Sequence, residues 1–469
     1  MKKQIQLSDN FNLKKIIRFT MPSVVMMVIM SIYSVVDGLF VSNLIGDMAL
    51  SAVNVVMPLV MIIGAVGLML GSGGSALVAK TLGEGDKTRA NKYFSMIVFS
   101  VIGIGIILSS ICLIFLRKIL TLMGGSDLII EDCMSYGYVM VGGSVLFMLQ
   151  CTFQSFFPVA EKAKLGLILS ISAGIANMAL DYIFIKFAKL GILGAGIATV
   201  IGMAIGGAVP LIYFIFSKKS MIKIRVCGFY PKQFGYACYN GASEFMSNVS
   251  ASFVGILYNV QLLKLVGERG IAAYSAMMYT DFVFLAVFFG FTMGIAPVIS
   301  FNYGANNYVK MKNVFKKSTA LIVIGSAIAM ILAEALSYPL AYAFVGYDKE
   351  LLQMTVRGFR IFAVCYVFCG INIWCSGFFT ALCNGGVSAF ISFLRSLLLR
   401  GTAVMLLPLI WGLDGIWSAV IVAEGLTAAV SVLLFVLFRK RYKYGREVKA
   451  SDSDTAQSNM DTSLTKDQE

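Results

Sequence analysis

Residues 16–44, IIRFTMPSVVMMVIMSIYSVVDGLFVSNL, decide what kind of chain this is. Only Arg18, near the start, and Asp37, toward the end, are charged. A helix needs roughly 20 apolar residues to cross the hydrocarbon of a bilayer. This stretch exceeds that, is too long for the core of a signal peptide, and lacks a clean small-residue cleavage site. It predicts a membrane-spanning helix.

The rest of the chain agrees. Apolar residues fill 58% of the 469 positions and charged residues 13%, and the mean hydropathy is +0.84. No water-soluble fold hides that much apolar surface, so bilayer is the expected solvent. A formal charge of +14 would point to nucleic acid in a soluble protein. Here Lys and Arg sit in short segments between apolar stretches, which makes them topology signals and excludes a nucleic-acid surface. The nine Cys lack the paired spacings of a zinc site and the even count of a disulfide framework, and read as small apolar residues. There is no His, which removes the commonest proton carrier near neutral pH and leaves proton chemistry to carboxylates.

Apolar stretches of spanning length lie near 16–43, 49–79, 93–116, 134–159, 165–185 and 192–216, and again near 236–263, 271–300, 318–345, 358–382, 387–410 and 415–438. Sliding the chain by 221 residues aligns Gly83 with Gly304, Phe94 with Phe315, Gly137 with Gly358 and Gly191 with Gly412, the mark of an internal duplication. The expected fold is an all-α integral membrane protein of about twelve transmembrane helices in two six-helix lobes. Because each copy crosses an even number of times, a pseudo-two-fold axis along the membrane normal relates them. The N-terminal lobe is residues 1–217, a cytoplasmic inter-lobe loop 218–235, the C-terminal lobe 236–441, and a polar, disordered cytoplasmic tail 442–469. With the N-terminus inside, 29 Lys and Arg fall on cytoplasmic segments and 9 on the other side, so both termini are expected in the cytoplasm. Arg395 and Arg400, within the eleventh stretch, are counted inside.

An ionisable residue within a span costs about 2.5–3.5 kcal/mol on insertion scales and needs a reason. Asp37 stands several residues before the outer end of the first span. In the fifth, Asn177 and Asp181 are four apart, which places both on one helix face, and Thr199 of the sixth arrives at a similar depth. Two carboxylates, an amide and a hydroxyl suit a hard cation or a shared proton. Asp37, Asn177, Asp181 and Thr199 are therefore the candidate cation-coupling residues, with Na⁺ the only metal they would hold. Glu244, Asp281, Glu334 and Glu424 remain in the second half, each either a substrate contact or a polar contact between helices. The segment Lys80-Thr81-Leu82-Gly83-Glu84-Gly85-Asp86-Lys87 lacks the spacing of a phosphate-binding loop and reads as a turn between helices. With no nucleotide site, the driving energy falls to an ion gradient.

The run from Met21-Pro22 through Tyr33, Asp37 and Gly46 to Leu82-Gly83-Glu84-Gly85-Asp86, with its degenerate recurrence after Gly267, resembles the multidrug and toxic compound extrusion (MATE) family of cation-coupled antiporters. The resemblance reaches about Arg441 and is greatest to the DinF-like/MepA-like prokaryotic branch. It implies that Asp37, Asn177, Asp181 and Thr199 match that branch's N-lobe site, that Pro22 is a hinge, and that Gln150 and Gln154 face the cleft. Tyr33, Glu244 and Asp281 join them as expected lining of the substrate cavity. Where the NorM branch has an acid in its tenth helix, this chain has Gly370-Ile371-Asn372-Ile373-Trp374, which leaves Glu244 without its partner. The expected function is export of small lipophilic or cationic compounds in exchange for inward H⁺ or Na⁺, without a cofactor, by a monomer in the plasma membrane of a prokaryote. A lipid-linked saccharide flippase of the wider superfamily is the alternative, disfavoured because only Arg395, Arg400 and Lys186 could supply the basic cavity it would need. An enzyme is not expected, since no nucleophile and base are clustered.

Overall fold

The computed structural model describes residues 5–44, 47–217 and 220–444, with side chains described for 5–33, 49, 51–217 and 220–444. The first half contains α1 (Leu13–Leu44), α2 (Asp47–Gly83) and α3 (Lys87–Ile114), a short helix at Leu116–Leu122, α4, α5 (Ala163–Phe187) and α6 (Gly191–Phe216). The second contains α7 (Pro231–Val266), α8 (Glu268–Gly304), α9 (Tyr308–Val345), α10, α11 (Gly385–Leu406) and α12 (Pro408–Leu437). α4 is a bent pair, Ile130–Gly142 and Ser144–Val159 at 50°, and α10 another, Lys349–Ala363 and Tyr366–Ala381 at 49°. Among the described residues, ten helices are long and apolar enough to cross a membrane, and counting each bent pair as one span brings the number to twelve. α9 begins ten residues before its apolar stretch because its first turns carry Lys310, Lys312, Lys316 and Lys317, which hydropathy discounts.

The duplication is visible in details a 221-residue shift superposes. Asp86 caps α3 by accepting the Arg89 N–H, and Asn307 caps α9 by accepting the Lys310 N–H; the glycine-bearing segments between helices are thus turns. Gly191 and Gly412 have φ of 56° and 55°, a left-handed backbone that favours glycine. Each lobe keeps its own aromatic core, with Phe94 5.2 Å from Phe214 in one and Phe315 5.2 Å from Phe435 in the other.

The lobes meet through α2 against α7, α1 against α8, and α2 against α8. Gly83 and Gly304 lie at the ends of α2 and α8 on the face where the first and last described residues lie. A Cβ on Gly83 would overlap the Phe301 carbonyl, and one on Gly304 the Lys80 carbonyl. The contact is therefore self-complementary about the pseudo-axis and shuts this terminal face. α1 runs unbroken through Pro22, which sits beside Thr20 and Ser23, where α1 meets Gly294 of α8.

Three segments outside the spanning helices are anchored. Leu7 and Phe11 are buried in the C-lobe core, where Lys310 Nζ donates to the Ser8 carbonyl at 2.9 Å and Lys317 Nζ to that of Phe11 at 3.0 Å. The inter-lobe loop lies on the N-lobe: Lys223 N–H donates to Asn91 Oδ1 at 2.9 Å, Arg225 N–H to Ser95 Oγ at 2.8 Å, and Ile222 is fully buried. α7 takes in the loop's last expected residues, from Pro231. At the other end, Tyr442 and Tyr444, assigned to the polar tail by composition, are buried, and Tyr444 Oη donates to the Phe435 carbonyl at 2.6 Å. Residues 445–469 lie outside the described residues.

Candidate functional site

In the N-lobe, α5 and α6 pack together at Gly202, where a Cβ would make ordinary contact at 3.4 Å with the Asn177 Cβ and the Ala173 carbonyl oxygen. Across this seam Asn177 Nδ2 donates to Thr199 Oγ1 at 3.3 Å, and the Thr199 hydroxyl donates to the Ala195 carbonyl at 2.9 Å. Asn177 and Asp181 are fully buried and Thr199 nearly so. Asn177 Oδ1 has no hydrogen-bond partner among the described residues, so an oxygen acceptor is left over in a place where such groups are ordinarily satisfied. Just past Asp181 the helix widens into a π turn at Ile183–Phe187, a local unwinding common at functional sites.

α1 reaches the same level. Tyr33 packs on α5, its Cβ 3.8 Å from where a Cβ on Gly174 would be. Both helices run away from the terminal face, so one turn further, about 6 Å, the Asp37 position of α1 stands level with Asn177 to Asp181. The Asp37 side chain lies outside the described residues. Gln154 Nε2 reaches Met30 Sδ at 3.0 Å, and Gln150 packs on Gly206 of α6, where a Cβ would come within 2.7 Å of it. Tyr33, Gln150 and Gln154 thus belong to the N-lobe helices that frame Asn177 and Thr199.

Glu244 and Asp281 do not join them. Asp281, on α8, is buried and accepts the Tyr366 hydroxyl of α10 at 2.9 Å, while Glu244 lies half-buried on α7. The C-lobe interior instead holds a second polar network that the sequence reading had only in pieces. Glu424 of α12 is fully buried and accepts from Arg395 Nε at 2.7 Å, Arg400 Nη2 at 3.0 Å and Asn372 Nδ2 at 2.8 Å. Ser431 Oγ donates to Asn372 Oδ1 at 2.9 Å. Arg395 lies within a π turn at Leu394–Leu399 and Arg400 directly follows it, and both, five residues apart, address one carboxylate. Arg395 and Arg400 are therefore interior ion-pair partners and no topology signal; without them the basic count is still 27 against 9. Nor are they free to line a cavity for an anionic lipid. Two arginines inside a span require a buried acid, and Glu424 was the signal available. Glu334 is half-exposed and 4.0 Å from Arg360.

A family model described as MatE matches residues 22–183 and again 245–402, once in each lobe. The chain belongs to the MatE family. Among curated relatives, the multidrug export protein MepA of Staphylococcus aureus (strain MSSA476) is 21% identical over 430 residues, 91% of this chain and 94% of its own length. MepA of Staphylococcus haemolyticus (strain JCSC1435) is 22% identical over 435 residues with the same coverage. Among solved structures, one described as the outward-facing conformation of a multidrug resistance MATE family transporter superposes with a TM-score of 0.88 at 20% identity, covering 94% of this chain and 99% of that one. Another, a MOP superfamily transporter from Pyrococcus furiosus whose binding pocket is described as of reverse polarity, gives 0.87 at 21% with the same coverage. The MatE fold is thus shared over nearly the whole length, and the twin match of the family model restates the duplication.

Proposed function

We propose that the chain is a secondary active antiporter that exports small lipophilic or cationic compounds in exchange for inward H⁺ or Na⁺. The observation that carries this reading is the buried N-lobe set of Asn177, Asp181 and Thr199, with an amide oxygen left unsatisfied among the described residues. Oxygen ligands of this kind suit a hard cation, and a buried carboxylate suits a proton. Asp37, level with them on α1, completes the set. When an ion from outside neutralises this site, attraction for a cationic compound falls and the lobe arrangement that releases it is favoured. Tyr33, Gln150 and Gln154 frame the site on one lobe, with Glu244 and Asp281 facing the compound from the other.

Pro22 serves as the hinge of α1, supported by its place within the α1 and α8 contact. The export named for the MepA relatives agrees with this reading, as does membership of a transporter family in arguing against an enzyme. Both termini and the shut face are cytoplasmic, in a prokaryotic plasma membrane, and the monomer is the working unit. The flippase alternative loses its basic cavity because Arg395 and Arg400 are held by Glu424.

The test is transport of a fluorescent lipophilic cation in proteoliposomes under a pH gradient alone and a Na⁺ gradient alone. At least one gradient is expected to drive uptake or release, and the active one names the ion. Failure of both, with the protein correctly inserted, would overturn the antiport reading.

A further inference from the structure

A cavity of about 490 Å³ opens on the terminal face, outside the transport site, where the N-terminal segment, the start of α3, the turn between α4 and α5, and the inter-lobe loop come together. Four of its lining residues are cationic: Lys87, Lys162, Lys223 and Arg225. One is acidic, Glu161, and its Oε1 already accepts the Leu7 N–H at 2.7 Å. So strong an excess of one sign in a concave site concentrates counter-ions of the other. Lys162 immediately precedes α5, whose first turn has no side-chain cap, so the partial positive charge of that helix end is added to the side chains.

Two neutral groups make the cavity a built site and not merely a basic surface. Ser220 lines it while only 4% exposed, and its Oγ has no hydrogen-bond partner among the described residues. A buried hydroxyl in that state is costly unless something binds it. Asn91 also lines the cavity. Its Oδ1 is taken by the Lys223 N–H, which leaves the amide N–H groups as donors. Donors and positive charges thus converge around a hollow, and the same backbone bonds that dock the loop on the N-lobe hold Lys223 and Arg225 there.

We propose that this cavity is a binding site for a phosphate-bearing anion, either the headgroup of an anionic phospholipid or a soluble phosphate. Lys and Arg hydrogen-bonding to phosphate oxygens are among the stronger polar contacts proteins make, and a hydroxyl and an amide complete a donor set for such a group. Placement of the cavity on the cytoplasmic leaflet rests on the orientation proposed above; the binding chemistry does not.

The experiment uses the full chain purified in a non-ionic detergent. Binding of dioctanoyl phosphatidylglycerol, dioctanoyl phosphatidylcholine and inorganic phosphate is measured by native mass spectrometry and equilibrium dialysis. Saturable binding of phosphatidylglycerol or of phosphate is expected, weakened at least about tenfold, or about 1.4 kcal/mol, in Lys223→Gln with Arg225→Gln and retained in Lys223→Arg with Arg225→Lys. Tighter phosphatidylglycerol binding assigns the site to lipid, and equal or tighter phosphate binding assigns it to a soluble ligand. Lys162→Gln with Ser220→Ala should weaken binding too, and serves if the first variant does not fold. Phosphatidylcholine binding as tightly as phosphatidylglycerol with no phosphate binding, or affinity unchanged in both Gln-containing variants, would overturn the proposal. Because binding is read without transport, its failure is distinct from failure of the export reading.

Discussion

Replacing Glu424 by Gln keeps the shape of the side chain and one carbonyl oxygen but removes the carboxylate that, among the described residues, forms the ion pairs with Arg395 and Arg400. Glu424 is fully buried, and the Arg395 and Arg400 side chains are 11% and 18% exposed, so water does little to screen the pair that remains. Removing one partner of a buried ion pair costs about 3–5 kcal/mol, because the other charge is left uncompensated in a poor solvent. Here one carboxylate serves two guanidinium groups, which puts Glu424→Gln toward the upper end. At roughly 1–2 °C per kcal/mol for a chain of this length, the apparent Tm of the purified protein in detergent should fall by about 3–10 °C. Removing all three charges together, as Glu424→Leu with Arg395→Leu and Arg400→Met, should recover much of the loss, since desolvating the ions offsets much of what their attraction contributes. The assay is thermal unfolding of wild type, single and triple variants, with transport measured in parallel. A Glu424→Gln protein that melts like wild type and yet fails to transport would refute the reasoning, and would move Glu424 from an interhelical clamp into the transport machinery.

The glycine contact predicts matched effects at two positions 221 residues apart. Gly83→Ala and Gly304→Ala each drive a methyl into a backbone carbonyl of the opposite lobe, an overpacking cost of about 1–3 kcal/mol borne only when the terminal face is shut. Each should shift the open-to-shut ratio of that face by about 5- to 150-fold, read as faster modification of a cysteine placed near Lys80; an effect from one substitution and none from the other would contradict the symmetry. For orientation, a cysteine introduced at Thr88 in a Cys-free background should resist an impermeant reagent added to intact cells and react after the membrane is opened. Labelling in intact cells would reverse the topology.

Most of the architecture was legible because the bilayer imposes it. Apolar length gave twelve spans and the 221-residue register gave two lobes; that register pairs Gly191 with Gly412, which the structure shows to be left-handed in both copies, while the caps at Asp86 and Asn307 emerge only from the structure. What stayed hidden was hidden for physical reasons. The bends of α4 and α10 leave hydropathy unchanged. Leu7, Phe11, Tyr442 and Tyr444 are apolar anchors within polar segments, where averaged composition outweighs a single well-packed ring. Arg395 and Arg400 looked like topology charges because their partner lies on another helix, and the π turn that contains Arg395 has no signature in sequence. Within the candidate site, the spacing of Asn177 and Asp181 was enough to place them on one face, but the contact to Thr199 depends on how α5 packs against α6, which spacing along one helix does not carry.

The central claim, that one N-lobe site is contested by ion and exported compound, is tested most directly by equilibrium binding of a fluorescent lipophilic cation to purified protein as H⁺ or Na⁺ is raised. In wild type the coupling ion should compete, weakening the fluorescent cation's affinity by at least about tenfold, equivalent to a coupling of about 1.4 kcal/mol. Asp181→Asn should bind the fluorescent cation with an affinity that no longer responds to the ion, because the buried carboxylate that takes the proton or Na⁺ is gone. Ion sensitivity surviving intact in Asp181→Asn would contradict the account and place the coupling site elsewhere in the chain.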